Sequence, residues 1–175
     1  MSKTKSDKTV TRSFRISEAA FNALQEDAKR QHISTNTLLN QILTNYANSD
    51  RFFARLGDFR IAKATYTHLL NAASDADLIE AARLSGRDTS ESIILAKHGT
   101  LSLTTVIDYL RMVTEFGGYA DYNEVDSQGK RVITLIHNLG RKGSVYFSSY
   151  VESLFGLIGR QPKITLSENA IAVEI

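Results

Sequence analysis

In the stretch TVTRSFRISEAAF, residues 9–21, hydrogen-bonding side chains recur at every second position. Thr11, Ser13 and Arg15 fall on one side of an extended backbone, and Phe14 and Ile16 on the other. Two hydroxyls and a guanidinium in a row do not make a catalytic set. Such a row is either solvated or engages a polar partner. No reactive spacing stands out elsewhere: there is no GxSxG elbow and no HExxH helix. The four histidines, His32, His68, His98 and His137, are widely spaced, and there is no Cys. A thiolate nucleophile, a disulfide and a thiolate metal site are therefore excluded, and each His reads as a packed or surface side chain. The expectation is a protein that is not an enzyme, with no catalytic residue, no metal and no cofactor.

The segment HNLGRKGS, residues 137–144, joins a strong strand to a helix and holds two glycines and two bases. A turn of this kind can hold an anion at a helix N-terminus. The GxxxxGK[ST] spacing is absent, so the reading is a connecting turn in which Ser144 caps the helix.

With 175 residues, 42% of them hydrophobic, the chain can bury the core of one ordinary domain or two small ones. No apolar run approaches the ~18 residues of a membrane span. The first residues are polar and charged, without the apolar stretch of a secretory signal. A cytoplasmic protein without a membrane association is expected. The net charge of +2 conceals an asymmetry, because residues 1–16 hold five bases against one acid. Lys3, Lys5 and Lys8 form a flexible basic arm suited to a polyanion, or else a solvated tail.

All ten glycines lie at Gly57 or beyond, and the sole proline is Pro162, so the first 56 residues contain no helix breaker. They read as strand, helix, helix. Ser17 is the N-cap of a helix opening on Glu18, with Phe21, Leu24 and Ala28 in one stripe. This helix fades near Gln31 and His32. Ser34 caps the next helix, where Leu38, Leu39, Ile42, Leu43 and Tyr46 make a wider apolar face. About 40 residues in this pattern leave too much apolar surface wet. Dimerisation through the strand and second helix is the remedy, since a lone strand also has an unpaired edge.

On VTRSFRI, SEAAFNALQEDAKRQH and ISTNTLLNQIL, residues 9–47 resemble the ribbon-helix-helix family of DNA-binding proteins, which includes Arc, MetJ and CopG. The resemblance covers about the first quarter of the chain. It implies that two strands pair antiparallel across a dimer and enter the major groove of double-stranded DNA. It also implies that Thr11, Ser13 and Arg15 contact bases, Arg15 through a bidentate fork that suits guanine. Ser34, Thr35 and Asn36, at the start of the second helix, would contact phosphate. Lys3, Lys5 and Lys8 would add salt-dependent attraction to the backbone. One departure is His32, near the turn position where the family often has Gly. His tolerates left-handed backbone better than most residues.

The remainder reads as a separate object. A strand is expected near residues 59–65, helical pieces across 66–73 and 75–84, and a short strand at 92–96. A helix runs from 102 to about 116, and GGYADYNEVDSQGK is a loop or the start of a hairpin. RVITLIH is the clearest strand, GSVYFSSYVESLFGLIG an amphipathic helix, and KITLSENAIAVEI a closing strand with a bulge at 167–169. The expected fold class is α+β: an N-terminal ribbon-helix-helix with two helices per chain, then a small α+β domain with a helix-covered sheet. The domains are a basic arm at 1–8, a DNA-binding and dimerisation domain at 9–50, a junction at 51–58 and the α+β domain at 59–175. The function expected is a sequence-specific transcriptional regulator, a repressor, nucleoid-associated, acting as a homodimer or higher homo-oligomer. Its second domain would serve oligomerisation, a small molecule or a protein partner. The rival readings are an antitoxin-like protein-binding module with autoregulatory DNA binding, and a weakly specific architectural DNA-binding protein.

Overall fold

The structure is a computed structural model that describes residues 9–54, 60–115, 117–127 and 129–175. It is α+β, with helices and a four-stranded antiparallel sheet. The chain divides into two compact units, Met1–Thr44 and Asn45–Ile175.

In the first unit α1 spans Glu18–Arg30 and α2 spans Thr35–Asn45. Ser17 caps α1: its backbone is extended and its Oγ accepts from the Ala20 amide at 3.2 Å. Glu18 at the start and Lys29 and Arg30 at the end complement the helix dipole. The helix closes in a Schellman arrangement. The Ile33 amide donates to the Ala28 carbonyl at 3.0 Å and the His32 amide to the Lys29 carbonyl at 3.2 Å. That geometry requires a left-handed residue, and His32 supplies it with φ 55°. A left-handed L-residue is strained by ~1–2 kcal/mol. His32→Gly is therefore expected to raise stability by ~0.5–1 kcal/mol, after the extra chain entropy of Gly is subtracted. Urea unfolding followed by helix dichroism checks this. No gain would mean that the imidazole contributes as much as its backbone costs.

Ser34 caps α2, its Oγ accepting from the Thr37 amide at 3.0 Å. Residues 9–17 are irregular and carry no ladder, so the strand expected at 9–16 is not seen in the single chain. A lone strand has no neighbour to bond with. Among the described residues up to Thr44, only Ala28 and Leu38 are buried.

The second unit begins with a π-helical turn, Tyr46–Asp50, and the short α3, Arg51–Phe53, whose Phe52 joins the core. Then come α4 (Lys63–Ala72), α5 (Asp75–Leu84), a second π turn (Ser85–Thr89), α6 (Ser90–His98) and α7 (Leu103–Glu115). After them come β1 (Asp121–Ser127), β2 (Lys130–Ile136), α8 (Gly140–Gly156), β3 (Lys163–Leu166) and β4 (Ala170–Glu174).

Three expectations change here. At 59–65 no strand is seen: Phe59 lies outside the described residues, 60–62 are irregular, and α4 starts at Lys63. At 92–96 the chain is helical. Ser90, Ile93 and Ile94 are buried and Lys97 half-buried, which is the i, i+3, i+4, i+7 spacing of a helix face. The closing segment is a hairpin of two strands, because Ser167, Glu168 and Asn169 form a turn.

The sheet order is β1-β2-β4-β3. Ile133 lies opposite Val173, and Leu135 opposite Ile171, and all four are essentially sealed from solvent. This apolar face is covered by α7 and α8, with α5 packed on α8. Gly86 makes the approach of the second π turn to α8 possible, since a Cβ there would come within 2.4 Å of the Tyr150 carbonyl. On β1, Glu124 replaces an apolar residue on the covered face. Its carboxylate accepts from the Tyr122 hydroxyl and the Arg111 guanidinium, each at 2.6 Å, with Arg131 at 3.2 Å. The Tyr122 hydrogen bond, then the two arginines, hold this carboxyl below the usual carboxylate range. Among the described residues no helix is long and apolar enough to cross a membrane.

Candidate nucleic-acid interface

Thr11, Ser13 and Arg15 are exposed. Their apolar neighbours are open as well: Phe14 is 59% and Ile16 43% exposed. The helices add Phe21, Ile42 and Leu43, all exposed. The first unit thus leaves both the polar and the apolar side chains of its leading segment uncovered. Arg12 is turned back on the backbone, its guanidinium donating to the Thr11 carbonyl at 3.1 Å.

The second expected group is at the start of α2. The Ser34 hydroxyl is committed to capping, with Thr37 Oγ1 also 2.7 Å away. Ser34 and Asn36 are exposed and Thr35 half-buried. The Thr35 and Asn36 amides belong to the first helical turn and have no carbonyl four residues back to bond within the helix. Lys3, Lys5 and Lys8 lie outside the described residues.

The turn at 137–144 is a closed hydrogen-bond network. The His137 ring is fully buried, and its Nδ1 accepts from the Leu139 amide at 3.0 Å. The ring proton is thereby on Nε2, which donates to Ser144 Oγ at 3.0 Å. Ser144 in turn donates to the Ser167 carbonyl at 2.7 Å, tying the start of α8 to the β3–β4 turn. The Gly140 amide is taken by the Asn169 side chain at 2.9 Å. Gly143 is required here, because a Cβ would stand 2.5 Å from that of Leu139. Ser144 does not cap α8, which starts at Gly140 without a side-chain cap; it serves as a relay between His137 and Ser167, and the turn reads as a structural latch.

The sequence gives no warning of a cluster of tyrosines. Tyr66, Tyr109, Tyr146 and Tyr150 converge from α4, α7 and α8 around one cavity, and nothing in their spacing marks them as a set. Comparisons with family models, with curated proteins and with solved structures find no significant match to this chain.

Proposed function

We propose that the protein is a sequence-specific DNA-binding regulator, a repressor, whose first unit works as a dimer and presents Thr11, Ser13 and Arg15 to the major groove. The observation that carries this reading is the uncovered apolar set Phe14, Ile16, Phe21, Ile42 and Leu43 in a unit whose described residues bury only Ala28 and Leu38. A second copy laid antiparallel along residues 9–16 would pair the open strand edge and cover Phe14 and Ile16. The opposite side of that ribbon would carry the two hydroxyls and the guanidinium, a set that matches base-edge donors and acceptors. Ser34, Thr35 and Asn36 would anchor a phosphate at the start of α2, and Lys3, Lys5 and Lys8 would add nonspecific attraction. The protein would then be associated with the nucleoid in the cytoplasm. The second unit, which has a core of its own, would serve oligomerisation, sensing or partner binding. A self-standing core also weighs against an antitoxin tail that folds only on its target.

The test is a titration of labelled DNA from the gene's own upstream region against random DNA, at two salt concentrations. A preference for the upstream DNA that survives higher salt is expected. Equal, salt-sensitive binding to both would point to an architectural role, and no binding to either would remove DNA from the account. Arg15→Ala is expected to cost ~1–3 kcal/mol of specific affinity and to relax selectivity at one base pair. Equal losses on specific and random DNA would remove Arg15 from base readout.

A further inference from the structure

The second unit contains a cavity of about 430 Å³, within the ~300–1,000 Å³ range of small-molecule sites. Five of the chain's seven tyrosines line it: Tyr66, Tyr109, Tyr119, Tyr146 and Tyr150. The rings set up flat walls. Tyr146 and Tyr150 lie within 19° of parallel, with centroids 6.2 Å apart, and Tyr66 stands at 87° to Tyr146. Leu110, Val113 and Phe147 complete an apolar interior. No charged side chain is among the lining residues described, so an ion entering here would shed its hydration without a partner.

The polar groups in the wall are hydroxyls. Tyr109 and Tyr150 are 2.8 Å apart, and behind them the buried Ser90 Oγ lies 2.9 Å from Tyr150, 3.2 Å from Tyr109 and 3.3 Å from the Ser85 carbonyl. The three hydroxyls spend their three protons on one another and on the Ser85 carbonyl, and keep lone pairs over. The triad therefore offers acceptors. Burial holds the Tyr109 and Tyr150 phenols protonated, so it does not become an anion. Ser85 and Thr89 of the π turn Ser85–Thr89 also line the cavity. Such turns interrupt a helix at a cost in regular bonding and recur at functional sites. At the rim, Leu69 is 57% and Ile61 39% exposed, an apolar approach to an apolar interior.

We propose that this cavity binds a neutral, planar aromatic small molecule that carries a hydrogen-bond donor. The rings take its faces and edge. The hydroxyl triad takes its donor. The uncharged wall rejects acids and bases of the same shape. The site stands independently of the DNA-binding reading.

The probe is N-phenyl-1-naphthylamine, a neutral diarylamine with flat naphthyl and phenyl rings and one N–H, titrated by fluorescence into the full-length protein. Its control is 8-anilinonaphthalene-1-sulfonate, the same framework bearing an anion. Saturable binding of one amine per chain is expected, at least tenfold tighter than that of the sulfonate. Leu69→Trp, at the exposed rim, would obstruct the entrance without touching the core, and Tyr146→Leu would remove a wall. Each is expected to weaken the amine at least tenfold, and the rim variant decides if Tyr146→Leu misfolds. The proposal is overturned if the two probes bind alike, if the amine does not saturate, or if Leu69→Trp binds it unchanged. That last result would place the dye on the exposed apolar face of the first unit.

Discussion

Phe14→Asp is expected to convert a dimer into a monomer at micromolar concentration, and to lower specific DNA affinity by more than a hundredfold. Phe14 is more than half exposed in the single chain, yet it alternates with the polar row and shares its side with Ile16. In a paired ribbon that side faces the partner's helices. Truncating a buried Phe costs ~3–5 kcal/mol, and the dimer carries the change twice. The carboxylate adds the cost of desolvating an unpaired charge. DNA affinity follows because a half-ribbon makes half the base contacts and lacks the geometry that sets both halves in one groove. Sedimentation equilibrium gives the mass, and the DNA titration gives the affinity. Arg15→Ala is the matching control: on the opposite side of the same segment, it should keep the dimer and lose selectivity. A Phe14→Asp protein of unchanged mass would mean that this face is not the dimer interface, and the proposed ribbon would fall with it.

The elements visible in the sequence are those whose own pattern determines them. Ser17 and Ser34 cap the helices they were expected to cap, because an Oγ two or three residues before free amides has a local partner. His32 takes the left-handed backbone expected at a Gly-like position. In α7, Val106, Ile107, Leu110 and Val113 are all buried, as their spacing demands. The failures come where local signals conflict. Ser92 to Ala96 contains Ile-Ile-Leu, which reads as a short strand, but the burial of Ser90 and Lys97 on the same face reveals the helical period. Lys97 was a poor clue because its charge is paired, with Nζ 2.9 Å from the Asp108 carboxylate on α7. In KITLSENAIAVEI two short alternations, Ile164 with Leu166 and Ile171 with Val173, flank a polar trio that is long enough for a turn. The tyrosine cavity was illegible for a different reason. Its walls come from helices distant in sequence, and only the fold makes neighbours of Tyr66 and Tyr146. The ladder expected at residues 9–16 would be intermolecular, and the single chain shows none there.

Stability is expected to fall between pH 6.5 and 4 through a single group, His137. Its ring is buried against Phe147, with centroids 5.2 Å apart, and Nδ1 is already occupied as the acceptor for the Leu139 amide. Protonation would set an N–H against an N–H and place a charge in an apolar wall. Burial, reinforced by the charge of Lys63, therefore brings the pKa down from its ordinary 6.5 to about 4. The folded state keeps His137 neutral, whereas the unfolded chain takes up the proton below pH 6.5. The stability this confers is fully present above 6.5 and is lost progressively as the pH falls through the folded value. By linkage the loss amounts to at most about 3 kcal/mol. Carboxylates act in a lower window. Glu124 and Asp108 are held below their ordinary values of 4.5 and 3.8, so their contribution begins to fall only as the pH drops through those values and disappears in stronger acid. Urea unfolding at pH 7 and pH 4.5 measures the difference. His137→Phe can keep the stacking on Phe147 but leaves the Leu139 amide and the Ser144 hydroxyl a partner short. It should start ~1–3 kcal/mol less stable at pH 7 and then show little further loss to pH 4.5. If the variant and the unaltered protein lose stability in parallel across that interval, the acid sensitivity belongs to another group and the neutral latch at 137–144 is not its cause.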